Sequence, residues 1–260
     1  MSAAAGIGRK GLLGWLADDG AIVRATFFLL LSGTAAVLYI DYRELTALDP
    51  LANPAQYAPI LPPASPAGEG EAWSPQIFTP SEALEAPLEI ALEAGGILRL
   101  TGSIEPGSAE RFAEEIGRRG EYVDTVALDS PGGSVLDAIA IGRAIREAGF
   151  GTLVESGSLC ASSCPLIFAG GVTRDAAADA AIGVHQIYAT TPVADAAALA
   201  LAAGTAMSEA QRATATITRY LIEVGIDPAL WIHALETPPD RLYYLTPQEV
   251  SEYRLTTAGV

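Results

Sequence analysis

Lysine is almost missing from this chain: of its 260 residues only Lys10 is a lysine. Chemistry that needs a buried lysine as base or amine nucleophile is therefore excluded from any folded domain downstream of it. Cysteine is nearly as scarce. Cys160 and Cys164 are the only two, too few for a disulfide-stapled scaffold, and their spacing lacks the second pair of a structural zinc site. Positive charge is thin as well, with 15 Lys and Arg against 31 Asp and Glu and a formal net charge of −16. Phosphate binding is driven by clustered Lys and Arg, so nucleic acid is excluded as an expected ligand. Apolar residues are plentiful: half of the chain is hydrophobic, which argues against wholesale disorder. The length suits one sizeable core with appendages.

From Ala25 to Ile40 no charge interrupts the run Ala-Thr-Phe-Phe-Leu-Leu-Leu-Ser-Gly-Thr-Ala-Ala-Val-Leu-Tyr-Ile. As a helix it spans about 24 Å, against a hydrocarbon core of roughly 30 Å. Adding Ala21 to Val23, with Arg24 reaching to the headgroups, brings it near the usual length. Residues 21–42 are expected to be a single transmembrane anchor, with a cleaved signal peptide ending near Gly33-Thr34-Ala35 and a buried core helix as competing readings. Arg9, Lys10 and Arg24 precede the run, whereas Asp41, Arg43 and Glu44 follow it. The positive-inside tendency puts residues 1–20 in the cytoplasm as a tail and the rest on the periplasmic or otherwise extracytoplasmic side.

Prolines crowd the next segment: Pro50, Pro54, Pro59, Pro62, Pro63, Pro66, Pro75 and Pro80. Interleaved with Ala, Gly and acidic residues, they make 43–86 a Pro/Ala-rich linker of polyproline character. The folded domain is expected over 87–260. Leu88 to Glu93 alternates like a half-buried strand, Gly95-Gly96 signals a turn, and Ile97 to Thr101 reads as a second strand. Helical spacing follows over 107–118 and again from Val135 to Ala148, where Gly149 stops it. Short apolar strands are expected at Val123 to Leu128, Thr152 to Glu155 and Ala180 to Tyr188, the last carrying His185. Residues 194–224 predict one long helix, or two joined near Gly204. His233 lies on an apolar helical pattern with Leu230, Ala234 and Leu235, a structural or surface position. Strands alternating with helices imply βαβ crossovers and a largely parallel sheet, an α/β fold.

Three loops at strand ends carry the unusual residues. One is Asp129-Ser130-Pro131-Gly132-Gly133, one is Cys160-Ala161-Ser162-Ser163-Cys164-Pro165, and the third holds His185. Pro165 fits a first helical turn, where the N–H it lacks has no intrahelical partner. A serine just before it is by composition either a cap or a nucleophile, since both use the same helix end. Acyl transfer needs a nucleophile, a base for its proton, and N–H donors where the carbonyl oxygen turns negative. Ser162, His185 and the N–H groups of Gly132 and Ser163 supply those parts on paper. A core histidine and a tight glycine turn are the plainer readings of His185 and Gly132-Gly133. The cysteines that bracket Ser162 are open to three readings: small apolar core residues, a disulfide, or metal ligands with His185. Export and a four-residue offset favour the disulfide.

Leu128-Asp-Ser-Pro-Gly-Gly-Ser-Val resembles the Asn-Ser-Pro-Gly-Gly loop of the Clp protease proteolytic subunit and of signal peptide peptidase A. Cys160-Ala-Ser-Ser-Cys-Pro-Leu-Ile-Phe-Ala-Gly-Gly is similar to the Clp subunit's Ala-Ala-Ser-Met-Gly-Ala-Phe-Leu-Leu-Ala-Ala-Gly segment, and Ile182-Gly-Val-His185-Gln186 falls where that family has Ile-His-Gln. The likeness covers about residues 95–255. It implies the Clp-protease/crotonase spiral of βαβ units, a serine protease without a cofactor or metal, a peptide or protein substrate, and a homo-oligomer. It also implies Ser162 as nucleophile, His185 as general base, and Gly132 and Ser163 as oxyanion-hole donors. The lysine base of signal peptide peptidases has no counterpart after residue 10. The family's acid aligns ungapped with Pro238 in Glu236-Thr-Pro-Pro-Asp240, so Asp240 is the expected third member, with a dyad lacking an acid left open. A catalytically inactive scaffold of the same fold is the other functional expectation.

Overall fold

The computed structural model describes residues 19–47, 75–187 and 196–257. The chain divides into two compact units, Met1–Pro54 and Ala55–Val260. In the first, helix α1 (Asp19–Ala47) contains an 18-residue window, Val23–Ile40, of mean hydropathy 1.7, and none of that window is buried by protein. A helix apolar all round needs either a core or a membrane around it. At 1.5 Å per residue the window is about 27 Å long, so α1 is long and apolar enough to cross a membrane. The helix continues past residue 42 into the first residues of the expected linker; the expected tail up to residue 18 and the linker over 48–74 lie outside the described residues.

The second unit is a mixed α/β domain. Strands β1 (Glu89–Leu92), β2 (Ile97–Thr101), β3 (Thr125–Asp129), β4 (Gly151–Val154) and β6 (Arg174–Ala176) form a five-stranded sheet in that order. β5 (Leu159–Ala161), β7 (Ala181–Val184) and β8 (Tyr243–Tyr244) form a three-stranded one. Only the β1–β2 and β7–β8 pairs are antiparallel; the other pairs are parallel. Crossover helices supply the connections: α3 (Ser108–Arg119) between β2 and β3, α4 (Val135–Ala148) between β3 and β4, and α5 (Cys164–Ala169) between β5 and β6. β3 is buried on both faces from Val126 to Asp129, as expected of a strand covered on both sides.

The expected strands and helices of this unit recur with small shifts, and the long segment is one helix, α6 (Ala196–Val224). β7 ends at Val184, so His185 stands one residue beyond the strand rather than within it, and Tyr188 lies outside the described residues. Ordered packing starts before residue 87. Phe78 N–H donates to the Gly157 carbonyl, and helix α2 (Ser81–Glu85) buries Leu84 completely. Three short strands, β5, β6 and β8, have no counterpart among the expected elements, because two or three residues carry no detectable alternation. Downstream lie α7 (Leu230–Glu236), where His233 stacks on Tyr243 and hydrogen-bonds the Tyr253 hydroxyl at 2.8 Å, and α8 (Pro247–Glu252), which Thr246 and Glu249 start with a capping box.

Helix α5 is fully buried and sits where it does because glycine lets two backbones meet. A Cβ on Gly170 would fall 2.1 Å from the Gly142 carbonyl oxygen of α4. Tyr220 of α6 closes the same contact, its hydroxyl donating to the Leu166 carbonyl at 3.0 Å. Gly170→Ala is expected to cost about 1–3 kcal/mol by overpacking, read as a lowered Tm; an unchanged Tm would mean that α4 and α5 separate freely.

Candidate active site

The site lies where the two sheets join. Beyond the end of β3, Ser130 bridges Cys160 of β5: Ser130 N–H donates to the Leu159 carbonyl at 2.6 Å and Ala161 N–H to the Ser130 carbonyl at 3.0 Å. Asp129 reinforces this seam. Its buried carboxylate accepts the Leu159 N–H at 2.9 Å and the hydroxyl of Thr79. The residue before the Pro-Gly-Gly loop thus fixes the strand that leads to Ser162, and the segment ahead of the expected domain start holds it in turn.

Ser162 and His185 meet because β5 and β7 are parallel neighbours in the register Ala161↔Gly183. Ser162 N–H extends that ladder by donating to the Gly183 carbonyl at 2.9 Å. Both residues therefore leave the sheet at the C-terminal ends of adjacent strands, the position where α/β proteins build sites. His185 Nε2 lies 2.8 Å from Ser162 Oγ, and its Nδ1 lies 3.1 Å from the Pro239 carbonyl oxygen. A carbonyl oxygen only accepts, so Nδ1 carries the proton. In the neutral ring that leaves Nε2 as the acceptor, and Ser162 Oγ–H donates to it.

Ser162 is also conformationally unusual. Its φ is 59°, and Ser162 and Arg254 are the two non-glycine residues at positive φ among the described residues. Such backbone costs about 1–3 kcal/mol and clusters at functional sites. The two serine hydroxyls differ in where they point. The N-cap of α5 is Ser163, whose hydroxyl makes no cap hydrogen bond and is buried without a partner, while the Ser162 hydroxyl is directed to His185. Neither serine caps the helix through its side chain.

The Pro-Gly-Gly loop presses on this turn. A Cβ on Gly132, whose φ is 96°, would fall 2.6 Å from both the Ala161 carbonyl oxygen and Ser162 Cβ. The Gly132 N–H, expected to face a developing oxyanion, is already used: it donates to Ser130 Oγ at 3.1 Å, and that hydroxyl donates to the Gly102 carbonyl. Among the described residues, neither the Gly133 N–H nor the Ser163 N–H has an acceptor. Gly133 replaces Gly132 as the available donor. Composition does not separate two adjacent glycines; the hydrogen bonding of Ser130 does.

The expected acid is displaced as well. β8 runs antiparallel to β7 with Tyr243 opposite Val184, so the chain ahead of Tyr243 passes His185. Gln186 N–H donates to the Thr237 carbonyl. It is the Pro239 carbonyl that reaches Nδ1, whereas the Asp240 side chain is 64% exposed, 4.0 Å from Arg241 Nε. Cys160 and Cys164 form a disulfide, with Cα atoms 5.1 Å apart and both residues fully buried. As a disulfide they offer no thiolate to a metal.

Burial lowers the pKa of His185 below its ordinary value, against an opposing push from the Pro239 hydrogen bond. The imidazole is thus held neutral, ready to accept a proton, at pH values where a free histidine is partly charged. The unfolded chain takes up the proton near pH ~6.5, before the folded one does. This group's contribution to stability is therefore present above that pH and is lost as pH falls through the lowered folded value. Neither a family model nor a curated protein matches the chain.

Proposed function

We propose that the protein is a membrane-tethered serine hydrolase, specifically a peptidase, with Ser162 as nucleophile and His185 as general base. The observation that carries this reading is the 2.8 Å contact between Ser162 Oγ and His185 Nε2, in the tautomer fixed by the Pro239 carbonyl. As Oγ attacks a substrate carbonyl, its proton passes to Nε2. The oxygen turned negative is met by the N–H groups of Ser163 and Gly133. The imidazolium then gives the proton to the leaving amine; water, deprotonated by the same ring, attacks the acyl carbon, and the ring returns that proton to Ser162 Oγ as the acyl–oxygen bond breaks. The Pro239 carbonyl orients the ring and, as a dipole, favours the imidazolium.

The resemblance to Clp proteases supports a βαβ spiral of that superfamily, a peptide substrate and a homo-oligomeric state. The α1 helix and the charge asymmetry around it support a single-pass protein with its N-terminus in the cytoplasm. The disulfide supports an oxidising compartment for the domain. The reading is tested by treating the full-length oxidised protein with a fluorophosphonate probe and mapping the adduct: label on Ser162 is expected, and its absence overturns the reading. The acid limb of the labelling rate should fall below pH ~6.5, the ordinary histidine value, because burial disfavours the imidazolium; an inflection above it would place the base elsewhere. The exposed Asp240 side chain, 4.0 Å from Arg241 Nε, favours one alternative, an inactive scaffold of the same fold. Peptide binding without turnover, retained in Ser162→Ala/His185→Ala, would select it.

A further inference from the structure

We propose that the Cys160–Cys164 disulfide is a positioning device for the nucleophile, holding Ser162 in its left-handed conformation and so keeping Oγ at His185; this rests on the hydrolase reading of Ser162. The bond spans the strained residue. Cys160 is fixed in the β5 ladder opposite Ile182, and Cys164 is the first residue of α5. Only Ala161, Ser162 and Ser163 lie between them, so the turn is held at both ends.

Three features make the bond's effect local. The loop it closes is short, and cross-linking so short a loop removes little entropy from the unfolded chain compared with a long one. Helix α5 has six residues and starts without a side-chain cap, because the Ser163 hydroxyl makes no such bond. An uncapped helix of this length has little stability of its own, and the covalent link to β5 supplies the fixed start that a cap otherwise gives. Finally, the hydrogen bond from Ser162 N–H to the Gly183 carbonyl holds its nitrogen, but the direction of Oγ follows from the torsion angles beyond that atom. An L-residue free to rotate leaves positive φ for the α or β region, where it is less crowded.

Reduction by a dithiol breaks the sulfur–sulfur bond. Two electrons and two protons pass to the cysteine sulfurs, and the dithiol becomes a disulfide. The cysteines are fully buried, so this exchange requires local opening, and a variant gives the cleaner test. Full-length Cys160→Ala/Cys164→Ala is compared with oxidised wild type by fluorophosphonate labelling over a range of probe concentrations and pH. The maximal rate is expected to fall about a hundredfold, the scale of a displacement of the reacting atom by roughly 1 Å. The half-saturating probe concentration and the acid inflection set by His185 should stay in place. An unchanged maximal rate in a folded variant overturns the proposal while leaving the hydrolase reading intact; no label on oxidised wild type overturns both. If the variant does not fold, partly reduced wild type decides. Label confined to disulfide-intact chains, with reduced chains keeping native circular dichroism, supports the proposal. Equal labelling, or loss of native dichroism on reduction, overturns it, since the bond then holds either nothing or the whole fold.

Discussion

Ser162→Ala is expected to abolish fluorophosphonate labelling and to lower peptide or ester hydrolysis at least about a thousandfold, as removal of an activated nucleophile does. The fold should survive. Alanine keeps the Cβ that packs beside Gly132, and the lost hydroxyl makes its contact with His185 rather than with the core. The same position allows an internal control. With φ at 59°, residue 162 carries a left-handed penalty that glycine does not, worth about 1–2 kcal/mol. Ser162→Gly should therefore be as inactive as Ser162→Ala yet melt at a higher temperature. Retained activity in either variant would remove Ser162 from the chemistry. A reversed order of Tm values would mean that the strain at 162 is not carried by the folded state.

Gly132→Ala is the second large effect. Its new Cβ would meet the Ala161 carbonyl oxygen and Ser162 Cβ at 2.6 Å and Ser163 N at 2.8 Å. These are backbone atoms or atoms fixed to backbone, so the clash is not relieved by a side-chain rotation. Either the Pro-Gly-Gly loop retreats or the Ser162 turn does, and each separates the nucleophile from its N–H donors. A loss of about a hundredfold in the maximal labelling rate should accompany a stability cost of about 1–3 kcal/mol, measured by denaturant or thermal unfolding. A variant destabilised by that amount but labelled at the wild-type rate would show that the loop supports the fold and not the reacting geometry.

The candidate site was legible in part, and the residues missed share a cause. Ser162, Ser163, His185 and the two cysteines stand out because their neighbours in sequence are informative: a proline at a helix start, small residues, a strand end. Gly133 and Pro239 do not stand out in the sequence because what each offers is a backbone group. An N–H or a carbonyl carries no residue-type signal, and its availability depends on what else bonds nearby. For Gly132 and Gly133 that is the Ser130 hydroxyl. For Pro239 it is the antiparallel pairing of β8 with β7, which draws its carbonyl to His185 and leaves the Asp240 side chain exposed. Thr79 reads as linker because prolines surround it, although its hydroxyl donates to the buried Asp129.

By itself the sequence determined the α/β alternation, the membrane-length apolar helix and the set of residue types at the strand ends. These follow from local periodicity, turn chemistry and composition, which act over a few residues. Tertiary structure decided which serine faces the histidine and that neither caps the helix, which glycine N–H is free, which carbonyl meets Nδ1, and that the cysteines are joined across the turn. Those outcomes depend on strand register and on competition for hydrogen bonds between segments far apart in the chain. A one-residue change of register would move every one of them.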